Sequence, residues 1–353
     1  MIVECPNCHK VHNIPDERLP IGKEIAFPCP LCKGTIEVDL RSKSAPPSYR
    51  MQKERQKTAG SSMPSAKKQP SGEALKKRIL RSVSDLPPMP QTVFKVREVI
   101  ADPGSSFKEL SDVLGTDQAM ATRVLRIANS TYYGLSGKIS SIQQASIVLG
   151  HNTLGELMTM AGTSGLLGNK LEGYGLEAGD LWRHSLGVAF GSKIIANKKN
   201  PASANDAFTA GLIHDAGKLI LDRHILERKE AFEEFMADAQ QSFLSAEKQI
   251  LGFDHSEIAS EVCKSWRVPQ TLTTAIRYHH YPSRSHGDTL TYIVHMADTI
   301  AMMTGLGLGI DGLLYQMDHK AMEFVGLQEE DISNIMDEVA DSVEKIAEQM
   351  HKP

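Results

Sequence analysis

The chain has 353 residues, 41% of them hydrophobic and 23% charged, with a formal net charge of -4. That length supports two or three domains with a sizeable core, and mild acidity excludes a globally basic nucleic-acid-binding chain. No stretch approaches the ~20 apolar residues of a membrane helix, and MIVECPNCHK lacks the charged start and apolar run of a secretory signal. A cytoplasmic location with no membrane partner is therefore expected.

The first 32 residues hold four of the five cysteines, as CPNC (Cys5, Cys8) and CPLC (Cys29, Cys32). Each C-x-x-C pair can wrap one side of a tetrahedral Zn²⁺ site. Ile2 and Val3, and Ile36 to Val38, read as short strands flanking the two knuckles. The expectation is a small β zinc ribbon over residues 1–40, too small to fold on core burial alone and stabilised by its ion. It resembles the short zinc-ribbon family found at the N-termini of bacterial regulatory proteins. Two disulfides or a redox pair are the alternative, a weak one without a thioredoxin-like βαβ pattern. His9 and His12 are not needed as ligands. Cys263, among Ala259, Val262 and Trp266, reads as a core thiol.

Residues 41–72 are rich in Ser, Pro, Lys and Gln and poor in aliphatic residues, the composition of a flexible linker. Its basic residues, Arg41, Lys43, Arg50, Lys53, Arg55, Lys57, Lys67 and Lys68, face only Glu54. A solvated tether is the favoured reading; attraction of nucleic acid or acidic partners is the weaker one, since only Tyr49 offers a stacking platform.

From residue 73 the pattern is helical. ALKKRILRSV gives a helix, Pro87, Pro88 and Pro90 break it, and Val93, Val96, Val99 and Ile100 mark the next. Ser106 and Glu109 fit a capping box. Met120, Val124, Leu125 and Ile127 form one apolar stripe, and SIQQASIVLG adds a further helix.

Chemistry concentrates in AFTAGLIHDAGKLILD, residues 207–222, where His214 and Asp215 interrupt the helical spacing of Phe208, Leu212, Leu219 and Ile220. A buried imidazole beside a buried carboxylate needs partners or a cation. Candidates are His184 in DLWRHSLGVAF, His255 opening DHSEIASEVC, His279 and His280 in AIRYHHYP, and His295 with Asp298 in YIVHMADTI, the last two on one helix face. Imidazole and carboxylate suit Zn, Mn, Fe or Ni, and one carboxylate can bridge two ions.

The ordered set His184, His214, Asp215, His279, His280 and Asp298 resembles the HD superfamily of metal-dependent phosphohydrolases over most of residues 180–300. LPPMPQTVFKVREVIADP, ATRVLRIANSTYYG and ISSIQQASIVLGHNTLGELM then look like the N-terminal helical half of an HDOD domain. That resemblance covers about residues 75–310. It implies a mainly all-α HDOD module over 73–353, with a helical half at 73–175, an HD-like half at 176–310 and C-terminal helices at 311–353. It also implies bacterial signalling through protein partners, with the HD-like site used for ligand sensing or structure. The alternative is a metal-dependent phosphohydrolase acting on nucleotides or cyclic dinucleotides.

The set with His255 added closely resembles the ligands of the HD-GYP phosphodiesterases, which implies a site for Fe, Mn or Mg. Asp215 and Lys218 would be catalytic if the chain is an enzyme. Lys218, in HDAGK, matches a lysine that family uses near substrate phosphate; a charge at a helix C-terminus is its plain reading. Asp180 shares the helix face of His184, where HD-GYP enzymes place a further carboxylate. YPSRSHGD after His280 departs from the acidic and Gly-Tyr-Pro signature, so the likeness to cyclic-dinucleotide hydrolases stops there.

His151, His224 and His319 read as core or surface histidines. Gly307, Gly309 and Gly312 match G-x-G-x-x-G without the strand or βαβ unit that motif needs, and read as a turn. Ile332, Ile335, Met336, Val339, Val343, Ile346 and Met350 line one face of a terminal helix that closes the core.

Overall fold

The structure, a computed structural model, describes the backbone of four short strands, residues 72–82, 99, 109, 118–238, 240–307, 309, 317–318 and 320–351. It divides into two units, Met1–Lys67 and Lys68–Pro353.

The first unit contains two antiparallel hairpins. Strand β1 (Ile2–Glu4) pairs with β2 (Val11–Asn13), with Val3 opposite His12. Strand β3 (Glu24–Pro28) pairs with β4 (Thr35–Asp39), with Ala26 opposite Glu37. The sequence marks β1 and β4; their partners β2 and β3 are short and carry no strong alternation. Cys5, Cys8, Cys29 and Cys32 fall in the connections within these hairpins and lie outside the described residues, as do linker residues 41–71.

The described part of the second unit is helical. It begins with α1 (Gly72–Ser82), α2 (Gln118–Ala128), a 3₁₀ turn Thr131–Tyr133, α3 (Ile142–Leu149) and α4 (His151–Leu167). Next come α5 (Asp180–Lys199), α6 (Ala204–Ile213), α7 (Lys218–Leu226) and α8 (Lys229–Met236). A short turn Phe243–Ala246 then runs into one π-helical turn, Glu247–Leu251. Helices α9 (His255–Ser265), α10 (Gln270–Tyr278), α11 (Thr289–Met303), α12 (Ala321–Val325) and α13 (Glu329–His351) complete it. No described helix is long and apolar enough to cross a membrane.

Side-chain caps set several starts. Ser141 accepts from the Gln144 N–H at α3, Asp254 from Glu257 N–H at α9, and Asp288 from Thr291 N–H at α11. Asn129, in the ANSTYYG run, accepts from Ile139 N–H and donates to Ile139 O, pinning the loop that follows α2. The Ser106 cap lies outside the described residues, as do Val93, Val96 and Ile100; Val99 is helical.

Helix α5 is the hub, packing against α6, α11 and α13. Helices α5 and α11 are buried on most sides. Helix α13 buries Ile335, Val339, Val343, Ile346 and Ala347 and closes the core. Glu156 on α4 pairs with Lys193 on α5 at 2.6 Å and links the two helical halves. In α2, Met120, Val124 and Ile127 are buried, whereas Leu125 is half-buried beside them. Cys263 is buried, and burial pushes its thiol up, as suits an inert core cysteine. Gly307 sits in a turn after α11 with positive φ, 58°; Gly312 and His319 lie outside the described residues.

Candidate metal centre

Two helices, not one, present the His-Asp doublet. Helix α6 ends at Ile213, residues 214–217 turn, and α7 starts at Lys218. Lys218 thus stands at a helix N-terminus, against the reading as a C-terminal charge; its Nζ lies 2.6 Å from Asp215 Oδ2. Gly217 makes the approach possible: a Cβ there would come 2.0 Å from His255 O, so the turn can press directly on the first turn of α9.

Around Asp215 the remaining residues arrive from α5 (His184), the start of α9 (His255), the end of α10 (His279, His280) and α11 (Asp298). His184 Nε2 lies 3.1 Å from Asp298 Oδ1 and 3.9 Å from Asp215 Oδ2. His214 Nε2 lies 3.4 Å from Asp215 Oδ2 and 3.7 Å from Asp298 Oδ1. On the other side, His255 Nε2 and His279 Nε2 lie 3.2 and 3.8 Å from Asp215 Oδ1, and His280 Nε2 is 2.7 Å from His255 Nε2. Asp215 therefore turns one oxygen to each group. Three overlapping sets meet the spacing of potential ligands, with donor atoms within 4.8 Å of one another: Asp215 with His255, His279 and His280; Asp215 with His184 and His214; and His214 with His279 and Asp298, which spans the two sides.

The donor set fits a cation. His214 Nδ1 faces Gly211 O and His279 Nδ1 faces Ile276 O, each at 2.7 Å. A proton on each Nδ1 leaves the lone pair on Nε2, and both Nε2 atoms are buried with no hydrogen-bond partner. Asp215 Oδ1 is buried beside them, with His255 Nε2 at 3.2 Å. Leaving the two Nε2 atoms bare costs roughly 1–3 kcal/mol each. Donors sharing one ion at about 2.1 Å lie about 3–4 Å apart, close to the separations found here.

Electrostatics divide the imidazoles into two kinds, those kept neutral by burial and those kept protonated by carboxylate neighbours. Burial pushes His214, His279 and His280 down, His279 to about 3, so these imidazoles are neutral near neutral pH. Burial opposes ionisation of Asp215 and Asp298, but His214, Lys218 and His255 outweigh it at Asp215, and His184 and His214 at Asp298. Both carboxyls are held well below the usual range. Burial likewise lowers His184 and His255, but their carboxylate neighbours win: Asp298 and Asp215 raise His184, Glu247 and Asp215 raise His255.

Other candidates sit elsewhere. His295, although on the same helix face as Asp298, spends both nitrogens: Nδ1 on His279 O at 2.7 Å and Nε2 on Asp318 N–H at 2.9 Å. It holds the His279 backbone and is no ligand. Asp180 does not enter the cluster; its carboxylate accepts from Glu177 N–H at 2.8 Å at the start of α5. A carboxylate in the first turn of a helix has backbone N–H donors within reach, and Asp180 takes one of these although it shares a face with His184. His224 is buried and pairs with Glu227, while His151 begins α4 half-buried. Glu247 and Tyr174, unmarked by any pattern in the sequence, stand directly behind His255.

A helical bundle closed over a buried His/Asp cluster is the frame of an HD-type domain. The HDOD domain family matches residues 86–282, more than half of the chain, and a zinc-ribbon domain family matches residues 1–37. The chain belongs to the HDOD family, preceded by a zinc-ribbon domain. Among solved structures it is similar to an HDOD domain protein of unknown function from Geobacter sulfurreducens, 25% identical, TM-score 0.59, covering 76% of this chain and 97% of that one. A Shewanella amazonensis SB2B protein provisionally assigned as a phosphohydrolase is 23% identical, TM-score 0.59, over 77% and 97% of the two chains. A Marinobacter aquaeolei VT8 protein provisionally assigned to signal transduction is 21% identical, TM-score 0.62, over 79% and 66%. An uncharacterised Treponema pallidum (strain Nichols) protein is 21% identical over 199 residues, 56% of this chain and 38% of that protein's length. The match thus spans well under half of that curated relative.

Proposed function

We propose that the chain is a bacterial regulatory protein whose HDOD unit binds a phosphate-bearing ligand at a divalent metal site formed by His184, His214, Asp215, His255, His279, His280 and Asp298. The reading rests on the buried Nε2 atoms of His214 and His279, which have no hydrogen-bond partner and converge on the Asp215 carboxylate. Fe, Mn or Mg would be the ion, and it would supply Lewis acidity toward a phosphoryl oxygen. Asp215 and Asp298 would balance the cation's charge, and Lys218 offers an ammonium beside Asp215. Zinc in the ribbon, held by Cys5, Cys8, Cys29 and Cys32, and protein partners in the cytoplasm complete the proposal. Nucleic-acid contact through ribbon and linker is the weaker alternative. It predicts steep salt dependence of binding by the full chain.

One observation favours phosphoester hydrolysis as a second reading. Asp215 faces both groups with separate oxygens, as a carboxylate bridging two ions must. In that case Asp215 and Lys218 are the catalytic residues, with Lys218 steadying the phosphate. A screen of nucleotides and cyclic dinucleotides with Mn²⁺, read for both binding and turnover, separates the readings. Metal-dependent binding without turnover supports sensing, turnover lost in Asp215→Asn supports hydrolysis, and metal-independent behaviour throughout contradicts both.

A further inference from the structure

Behind His255 lies a carboxylate that belongs to none of the potential ligand groups. Glu247 is fully buried, at 0% exposure, in the π-helical turn that Gly252 ends in a left-handed conformation, φ 92°. π turns recur at functional sites because they re-aim one side chain within a helix. A carboxylate in such a place costs several kcal/mol unless well paired. Among the described residues no lysine or arginine ion pair reaches it. Its partners are His255 N–H at 3.0 Å, His255 Nδ1 at 2.9 and 3.1 Å, and the Tyr174 hydroxyl, which donates at 2.6 Å.

That arrangement sets His255 apart. His214 and His279 direct Nδ1 at neutral backbone carbonyls, whereas His255 directs it at an anion. A carboxylate on the far nitrogen fixes the ring's tautomer and orientation and makes Nε2 a stronger donor. Tyr174 holds the carboxylate in turn. It comes from the loop 168–179 between α4 and α5, and it is fully buried with its ring 5.5 Å from Lys218 Nζ. The loop is seated by Gly173, whose N–H donates to Asp222 Oδ1 at 2.7 Å and whose Cβ position lies 2.5 Å from Asp222 O, where only glycine fits.

We propose that Glu247, clamped by the Tyr174 hydroxyl, is a positioning residue that orients His255 for an ion in the His255, His279 and His280 group. The proposal rests on the reading of the cluster as a metal site, and goes beyond it by assigning unequal strength to its two sides. The test is Mn²⁺ titration of the full-length protein, zinc-saturated at the ribbon, by calorimetry and equilibrium dialysis. Wild type is expected to bind in two steps. Glu247→Gln, close in shape but uncharged, weakens one step roughly 10- to 100-fold and spares the other, a size typical of removing such an outer partner. Glu247→Asp restores part of the loss. Tyr174→Phe, which keeps the ring in the core, weakens the same step less, and His184→Ala weakens the opposite one. If Glu247→Gln fails to fold, Tyr174→Phe decides. Wild-type affinity at both steps in whichever of the two variants folds overturns the positioning role alone. No Mn²⁺ binding by wild type overturns the metal site and this proposal together.

Discussion

What each buried imidazole does with its two nitrogens decides its role. His295 and His214 are both buried, yet His295 has both nitrogens occupied and His214 has Nε2 bare. His295→Asn is therefore expected to lower stability by about 1–3 kcal/mol through unmade hydrogen bonds while leaving the number of bound ions unchanged. His214→Ala should lose ion binding. Metal analysis of the two purified variants checks the contrast. Away from the cluster, burial raises Tyr132 to about 12, with Glu156 and Glu338 adding to it. The folded state keeps this proton when the unfolded chain has lost it, so its contribution is present below about pH 10 and is lost as pH rises toward about 12. Denaturant melts across that window should show a falling stability that Tyr132→Phe flattens. At this scale the sequence marks the residues that cluster, because imidazoles and acids inside apolar stretches stand out. It does not mark Glu247, whose neighbours in SAEKQILGFDHSE carry no period that separates a buried anion from a surface one.

Between elements, close approach is the controlling quantity. The apolar spacing of residues 207–222 passes over the turn at 214–217, because α6 and α7 are both substantially buried and each continues the pattern. What the spacing hides, Gly217 explains: the turn lies against His255 O. Gly217→Ala is expected to cost about 1–3 kcal/mol by overpacking and to weaken ion binding by separating Asp215 from His255. Thermal melts with and without Mn²⁺ resolve the two effects. Helix α13 provides a control. Ile346 is fully buried there, and Ile346→Ala should destabilise by about 2–5 kcal/mol while metal affinity stays at the wild-type value. The apolar face of α13 is readable at helical period, since an amphipathic helix over a core has one buried side. α5 and α11 are less so, because burial on several sides erases the moment that shows where a helix points.

Across the whole molecule, the chain joins a segment matching a zinc-ribbon family to a helical body with an extensive core of its own. The order of motifs is legible in the sequence: paired cysteines, a basic linker, then helices carrying dispersed His and Asp. Their convergence needs the fold, since the contributing residues span His184 to Asp298 and arrive from separate helices. The most direct measurement of that convergence is a melt of the zinc-saturated full-length protein titrated with Mn²⁺, run beside Asp215→Asn. An ion that binds only the folded state raises stability by about 2.7 kcal/mol at a hundredfold excess over Kd. The predicted result is a concentration-dependent rise in Tm for wild type that Asp215→Asn lacks; no rise in wild type, or an equal rise in both proteins, contradicts a metal centre at this cluster.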